Sequence, residues 1–267
     1  MSLELRNPHS VLAALETRPQ EVVEIRLLGG GPSRAWADVV NLAGRLGVRV
    51  RQDAGRRRGG RAPRAETSGR TGGAEATLKE RSAASLESLF ADVAKRAGGK
   101  GLWIALDCLQ DPHNVGAVFR VAAFYDVQGI VVTKNRSAPL TQAVYDVAAG
   151  GLEYVPFSVE TNLTRALQRA KDCGLWILGT SEHADQDVSE IETDRPWLLV
   201  LGNEERGLRR LTREACDAVC RLSPRGPIQS LNVSVAAGIL VSTLTSGRDG
   251  RPSNDAATPR DHELPLD

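Results

Sequence analysis

Apolar and polar positions follow three patterns along the chain. From 82 to about 246, short apolar runs alternate with longer stretches whose apolar residues recur at helical spacing. Five runs read as strands covered on both faces: Leu102-Trp103-Ile104-Ala105-Leu106, Ile130-Val131-Val132-Thr133, Tyr154-Val155-Pro156-Phe157, Trp176-Ile177-Leu178-Gly179 and Trp197-Leu198-Leu199-Val200-Leu201. The spacing predicts helices over about 115–125, 140–149, 162–170, 208–216 and 233–244. Strands that alternate with helices of this length build βαβ units, so the fold class is α/β with a mostly parallel sheet.

Before residue 53 the alternation is shorter. Asn7 and Ser10 precede a helix carrying Val11, Leu12 and Leu15, and Val22–Leu28 reads as a strand closed by Gly29-Gly30-Gly31. Ser33 is placed to cap a second helix bearing Trp36, Val39, Val40, Leu42 and Leu46, and Val48–Arg51 alternates like a strand. This unit, 1–52, is small for a domain that folds alone. From 53 to 81 the apolar pattern fades, and residues 51–70 hold seven Arg against Asp53 and Glu66. The stretch reads as an Arg/Gly-rich flexible linker, with a grip on phosphates and a plain solvated connector as open alternatives. The tail, 247–267, is polar and Pro-containing and is expected to be disordered.

Composition narrows the function classes. Hydrophobic residues are 41% of 267, which excludes a wholly disordered chain, and aromatics are only 4%, so aliphatic residues must build the core. The net charge of +1 announces no nucleic-acid binder, so any such signal must be local. The four cysteines, Cys108, Cys173, Cys216 and Cys220, lack zinc spacing and read as reduced thiols; no metal is expected. No apolar run approaches the ~20 residues of a membrane span. Met1–His9 has no apolar core of a secretory signal, so a cytoplasmic protein is expected. Neither GxGxxG nor GxxxxGKS occurs, which argues against a dinucleotide dehydrogenase and a P-loop NTPase.

Three segments stand where ligands bind open α/β sheets, beyond strand ends. The first is Asp107-Cys108-Leu109-Gln110-Asp111-Pro112-His113-Asn114-Val115-Gly116-Ala117-Val118-Phe119-Arg120. Here Asn114 is placed to cap the helix, and Arg120, nearly two turns on, is expected on the same side. The second, Leu201-Gly202-Asn203-Glu204-Glu205-Arg206-Gly207-Leu208, has glycines for tight turns and close ligand approach. In the third, Ser230-Leu231-Asn232-Val233-Ser234-Val235-Ala236-Ala237-Gly238-Ile239, Ser230 or Asn232 caps a helix of small residues. Taken singly, each is also an ordinary cap or turn; their order and spacing together are not ordinary.

That set resembles the three motifs of the SpoU (TrmH-like) family of AdoMet-dependent RNA 2′-O-ribose methyltransferases, over about 101–245. Asn7–Leu15 more weakly resembles the opening of the L30e-like domain in the branch that methylates a guanosine of large-subunit (23S) ribosomal RNA. The resemblance implies a SPOUT-type catalytic domain over 82–246 with a C-terminal trefoil knot, a truncated or divergent L30e-like domain before it, and a homodimer. It implies S-adenosyl-L-methionine as cofactor and RNA as partner, with no membrane. Carried over, the catalytic set is Arg120, Asn114, Glu204, Ser230 and Asn232, and the cofactor set is Gly202, Leu222, Leu231, Leu201 and Asn203. Two departures stand out. Leu222-Ser223-Pro224 replaces the family's Ile-Pro-Met, and Arg70-Thr71-Gly72 stands nearest the usual His-Gln-Gly that ends the small domain. A tRNA substrate and a non-catalytic RNA-binding or ribosome-assembly role on the same scaffold are the alternatives.

Overall fold

A computed structural model describes residues 2–28, 33–53 and 73–246. The chain begins with β1 (Ser2–Leu5), α1 (Pro8–Thr17), β2 (Val22–Leu28), α2 (Arg34–Arg45), β3 (Val50–Asp53) and β4 (Ala74–Lys79). These strands form a four-stranded sheet in the order β1-β4-β2-β3, with β2 and β3 parallel and β4 antiparallel to both its neighbours. Asn7 caps α1 by accepting from the His9 amide at 2.9 Å, and Pro8 follows at a position whose amide needs no partner. Ser33 precedes α2 without a side-chain cap.

This corrects the expected boundary. The small unit does not stop at 52, because β4 lies inside the stretch read as a linker and is an inner strand of the sheet. Its sequence, Ala-Glu-Ala-Thr-Leu-Lys, has one large apolar residue and little strand propensity. Burial of Ala74, Ala76 and Leu78 against β1 and β2 decides it instead. Residues 54–72, with most of the arginines, fall between β3 and β4 and outside the described residues, as does the expected tail from 247.

The second unit comprises α3 (Leu86–Leu89), β5 (Leu102–Leu106), α4 (Pro112–Phe124), β6 (Gly129–Thr133), α5 (Gln142–Ala148), α6 (Gly151–Tyr154), β7 (Phe157–Glu160), α7 (Leu163–Asp172), β8 (Trp176–Thr180), β9 (Gln186–Asp187), β10 (Trp197–Leu201), α8 (Arg210–Glu214), β11 (Ala218–Arg221) and α9 (Val233–Thr245). Its seven strands run parallel in the order β7-β6-β5-β10-β8-β11-β9. Every residue of β5, β6 and β10 is buried, as a sheet covered on both faces requires. The strand expected over 154–157 is instead the end of α6 and the start of β7. The strands at 186–187 and 218–221 were not expected; both are short and only partly buried.

The chain leaves β5 outward to β6 and β7, then crosses back to β8 and leaves a place that β10 fills later. The loops after β5, β8, β10 and β11 therefore converge at one sheet edge, where the order reverses. From β11 the chain returns past β8 and β10 so that α9 packs on α4. One apolar cluster runs through both units, from Leu3, Ile25 and Trp36 to Leu106, Phe119 and Leu240. Among the described residues no helix is long and apolar enough to cross a membrane.

Candidate active site

The loop after β10 is shaped by its glycines. Asn203 and Gly207 close it with paired backbone hydrogen bonds of 3.1 and 2.9 Å, and Gly207 holds a left-handed φ of 64°. A Cβ on Gly202 would lie 2.5 Å from the Gly207 carbonyl carbon and 2.6 Å from the Leu208 amide, so no larger residue fits without moving backbone.

Side chains from all three segments meet beside this loop. Asn114 Nδ2 donates to Glu204 Oε1 at 3.0 Å, and Asn232 Nδ2 donates to Asn114 Oδ1 at 3.0 Å. Asn203 Nδ2 donates to the other carboxylate oxygen of Glu204 at 3.2 Å and to the Cys108 carbonyl at 2.9 Å. Asn232 also caps α9, its Oδ1 accepting from the Ser234 amide at 2.9 Å. A continuous hydrogen-bonded chain therefore joins Asn203, Glu204, Asn114 and Asn232 across the three segments. Its base is fixed by fully buried Asp107, which accepts from the Arg209 amide at 3.0 Å and from Arg209 Nε at 2.5 Å. Cys108, next to it, holds φ at 61°, a conformation that bulky residues avoid and that turns the chain sharply off β5.

Beside that chain opens a cleft of about 850 Å³, of the size that takes a nucleoside-bearing ligand. Leu201, Gly202, Asn203, Glu204, Leu222, Ser230, Leu231 and Asn232 all line it. Leu231 and Ile228 stand 51% and 71% exposed, apolar surface left bare. An apolar wall with a polar floor and a glycine cradle fits a cofactor made of a purine and a charged tail. Ser223, in the position of the family's proline, uses the amide that a proline lacks: it donates to Asp187 Oδ2 at 3.0 Å and ties the loop to the end of β9. Hydrogen bonds from Ser223 and Ser189 hold the Asp187 carboxyl well below the usual carboxylate range. The thiols are free; burial pushes Cys216 up to about 11 and Cys220 up to about 12, which leaves them unreactive.

Two expectations change. Asn114 is not the cap of α4; Asp111 is, accepting from the His113 amide at 2.8 Å with Pro112 next. Asn114 sits inside the helix, free to join the network. Arg120 does not share its side. Six residues at about 100° each leave it roughly 120° round the helix, and it lines a separate hollow of about 670 Å³ with Ala117, Phe124, Val147 and Ile239. Phe124 beside it is 80% exposed. Arg209 and Asp187 have no part in the sequence motifs; Asp107 stands there only as the start of the first segment, an acidic residue directly after an all-apolar strand, and Ser223 only within the departure from the family's Ile-Pro-Met.

Comparison with known proteins fits this arrangement. The chain is 38% identical over 234 residues to the 23S rRNA (guanosine-2′-O-)-methyltransferase RlmB of Nitrosomonas europaea, covering 86% of each protein. With the RlmB of Ralstonia nicotianae it shares 35% identity over 245 residues, 92% of this chain and 96% of that one. In fold it resembles the SpoU methyltransferase AviRb from Streptomyces viridochromogenes, whose structure was solved with AdoMet: TM-score 0.71, 22% identity, 94% and 92% coverage. An AdoMet-bound rRNA methyltransferase from Sinorhizobium meliloti gives a TM-score of 0.69 at 18% identity, covering 91% and 86%. Residues 101–242, which run from β5 into α9 and carry every side chain of the hydrogen-bonded network, match the SpoU rRNA Methylase family, and the chain belongs to that family.

Proposed function

We propose that the chain transfers a methyl group from AdoMet to the ribose 2′-hydroxyl of a guanosine in 23S ribosomal RNA. The observation that carries this is the chain Asn203–Glu204–Asn114–Asn232, which sets aligned donors and a carboxylate beside the cleft that Asn203, Glu204 and Asn232 line. The RlmB relatives, aligned over most of both proteins, supply the RNA and the nucleotide. When bound, AdoMet supplies a methyl already activated on sulfur. Gly202, Leu222 and Leu231 would hold it, with Leu201 and Asn203 behind them.

The protein's task is then to align and to deprotonate. Alignment of two reactants to near-contact is worth about 7–11 kcal/mol of barrier. Glu204 is held by two amide donors, one on each oxygen, so its acceptor lone pairs stand in fixed directions toward an incoming hydroxyl. Ser230 and Asn232 line the same wall and orient that hydroxyl. Arg120 serves as a phosphate clamp rather than a base, because a guanidinium fork carries five donors, has no acceptor and matches the oxygens of a phosphate.

The reading includes a homodimer. Phe124, Val235 and Ile239 leave an apolar face on α4 and α9 next to Arg120, and a two-fold contact through that face would carry Arg120 toward the cleft of the partner. It also includes a C-terminal trefoil knot, supported by the return of the chain from β11 past β10 to α4, and an L30e-like character for the small sheet. The protein works in the cytoplasm, where its RNA is.

The test incubates the protein with labelled AdoMet and separate pools of unmodified tRNA, small-subunit and large-subunit rRNA. Label is expected in a single guanosine ribose of the large-subunit pool; label confined to tRNA, or none, overturns the reading. Arg120→Ala is expected to abolish transfer and leave AdoMet binding intact by calorimetry, and loss of binding would show that the residue serves the cofactor instead.

A further inference from the structure

The polar seam between the two units holds more than docking needs. Arg18, at the end of α1 and only 7% exposed, grips Glu153 of α6 with two parallel bonds of 2.7 Å, from Nε and Nη2. Its remaining Nη1 donates to Glu21 at 2.6 Å and to the Lys79 carbonyl at 2.7 Å. Glu153 is 2% exposed. Burial disfavours the charge on this guanidinium, and the bonds it donates to Glu153 and Glu21 more than offset that, holding its pKa above the ordinary arginine value. A buried pair of this kind adds little net stability over apolar residues of the same volume; what it adds is direction.

Docking is secured elsewhere. Asn7 Nδ2 donates to the Asp146 carbonyl at 2.7 Å, Ser10 Oγ to the Tyr145 carbonyl at 2.7 Å, and Arg81 Nη1 to the Val155 carbonyl at 2.7 Å. The Arg18–Glu153 pair acts on α6 itself, and α6 is wedged. Its leading Gly150 donates to Ser10 Oγ at 3.1 Å, and a Cβ there would meet Ala13 Cβ at 3.0 Å. On the other side a Cβ on Gly151 would lie 2.5 Å from the Phe119 carbonyl oxygen and 2.9 Å from the Arg120 amide. The small unit therefore presses α6 directly onto the backbone of α4 at Arg120.

We propose that Arg18 is a positioning residue for methyl transfer: by gripping Glu153 it seats α6 against Phe119–Arg120 and fixes where the Arg120 side chain stands. This rests on the reading that Arg120 serves the reaction. It makes the small unit a part of the catalytic frame and not only a surface for RNA.

The experiment uses the full chain with transcribed, unmodified large-subunit rRNA and labelled AdoMet. It compares the parent with the double variant Arg18→Met/Glu153→Met, reading the single-turnover rate, the RNA and AdoMet dissociation constants, and the melting temperature. The expected result is a rate lower by about tenfold or more, both dissociation constants within about twofold of the parent, and a melting temperature near the parent's. A parent-like rate overturns the proposal, and so does weaker RNA binding with an unchanged rate at saturating RNA, since that would make the pair a docking device. If the double variant does not fold, Arg18→Lys decides, because lysine keeps the charge but cannot span both carboxylate oxygens. A slower rate with unchanged affinities supports the proposal, and an unchanged rate overturns it. A parent that methylates no RNA, or an Arg120→Ala variant as fast as the parent, would instead mark failure of the functional reading beneath it.

Discussion

Gly202 shows how little room the cleft leaves to a single residue. With backbone atoms 2.5 and 2.6 Å from where a Cβ would stand, Gly202→Ala must open the Asn203–Gly207 turn. Relief of such overlap costs about 1–3 kcal/mol, and AdoMet affinity is expected to fall about tenfold or more, measured by calorimetry, while the fold persists. An unchanged affinity would place the cofactor elsewhere. The same scale shows why some of the site could be read early and some could not. Gly202, Glu204 and Asn232 are adjacent in sequence to their strand or helix, so their place follows from the motif. Asn114 looks like a cap because Asn is a good one, yet Asp111 followed by Pro112 is the better start, which releases Asn114 into the network. Arg120 illustrates the reverse, since only counting turns of the helix separates its side from that of Asn114. Arg18 and Glu153 are 135 positions apart, and nothing local marks them as partners.

At the scale of elements, apolar character and not length decides which strands are legible. The strands β5, β6 and β10 announce themselves by unbroken apolar runs, whereas β4 and β11 owe their state to the neighbours they pair with. The loop between β11 and α9 is another case settled by a contact, the bond from Ser223 to Asp187. Removing it by Asp187→Ala is expected to weaken AdoMet binding about fivefold, the worth of a hydrogen bond of ~1 kcal/mol. The sign with pH follows from the depressed carboxyl. The tie is whole above the ordinary Asp value of about 4 and is lost only as pH falls through the lower native value. Affinity should therefore be flat from about pH 5 to 8 as far as this group is concerned, and a decline centred in that window would contradict its role.

On the scale of the whole molecule, the apolar face of α4 and α9 and the seam between the units set what must stay together. Phe124→Glu places a charge on the most exposed of the large apolar residues of that face. By light scattering the proposed dimer is expected to become a monomer, and methyl transfer should fall with it while AdoMet binding holds; a monomeric but active variant would show that each chain is self-sufficient. The seam has a different consequence. Because β3 and β4, which flank the arginine-rich stretch, belong to one sheet, and Arg81 beyond β4 is already fastened to α5 and α6, that stretch is not the connection between the two units. Its length can drift over generations, or be cut down or exchanged for a fluorescent reporter at the bench, at a cost that grows only slowly with residue number. The spacing of the two sheets would not register the change.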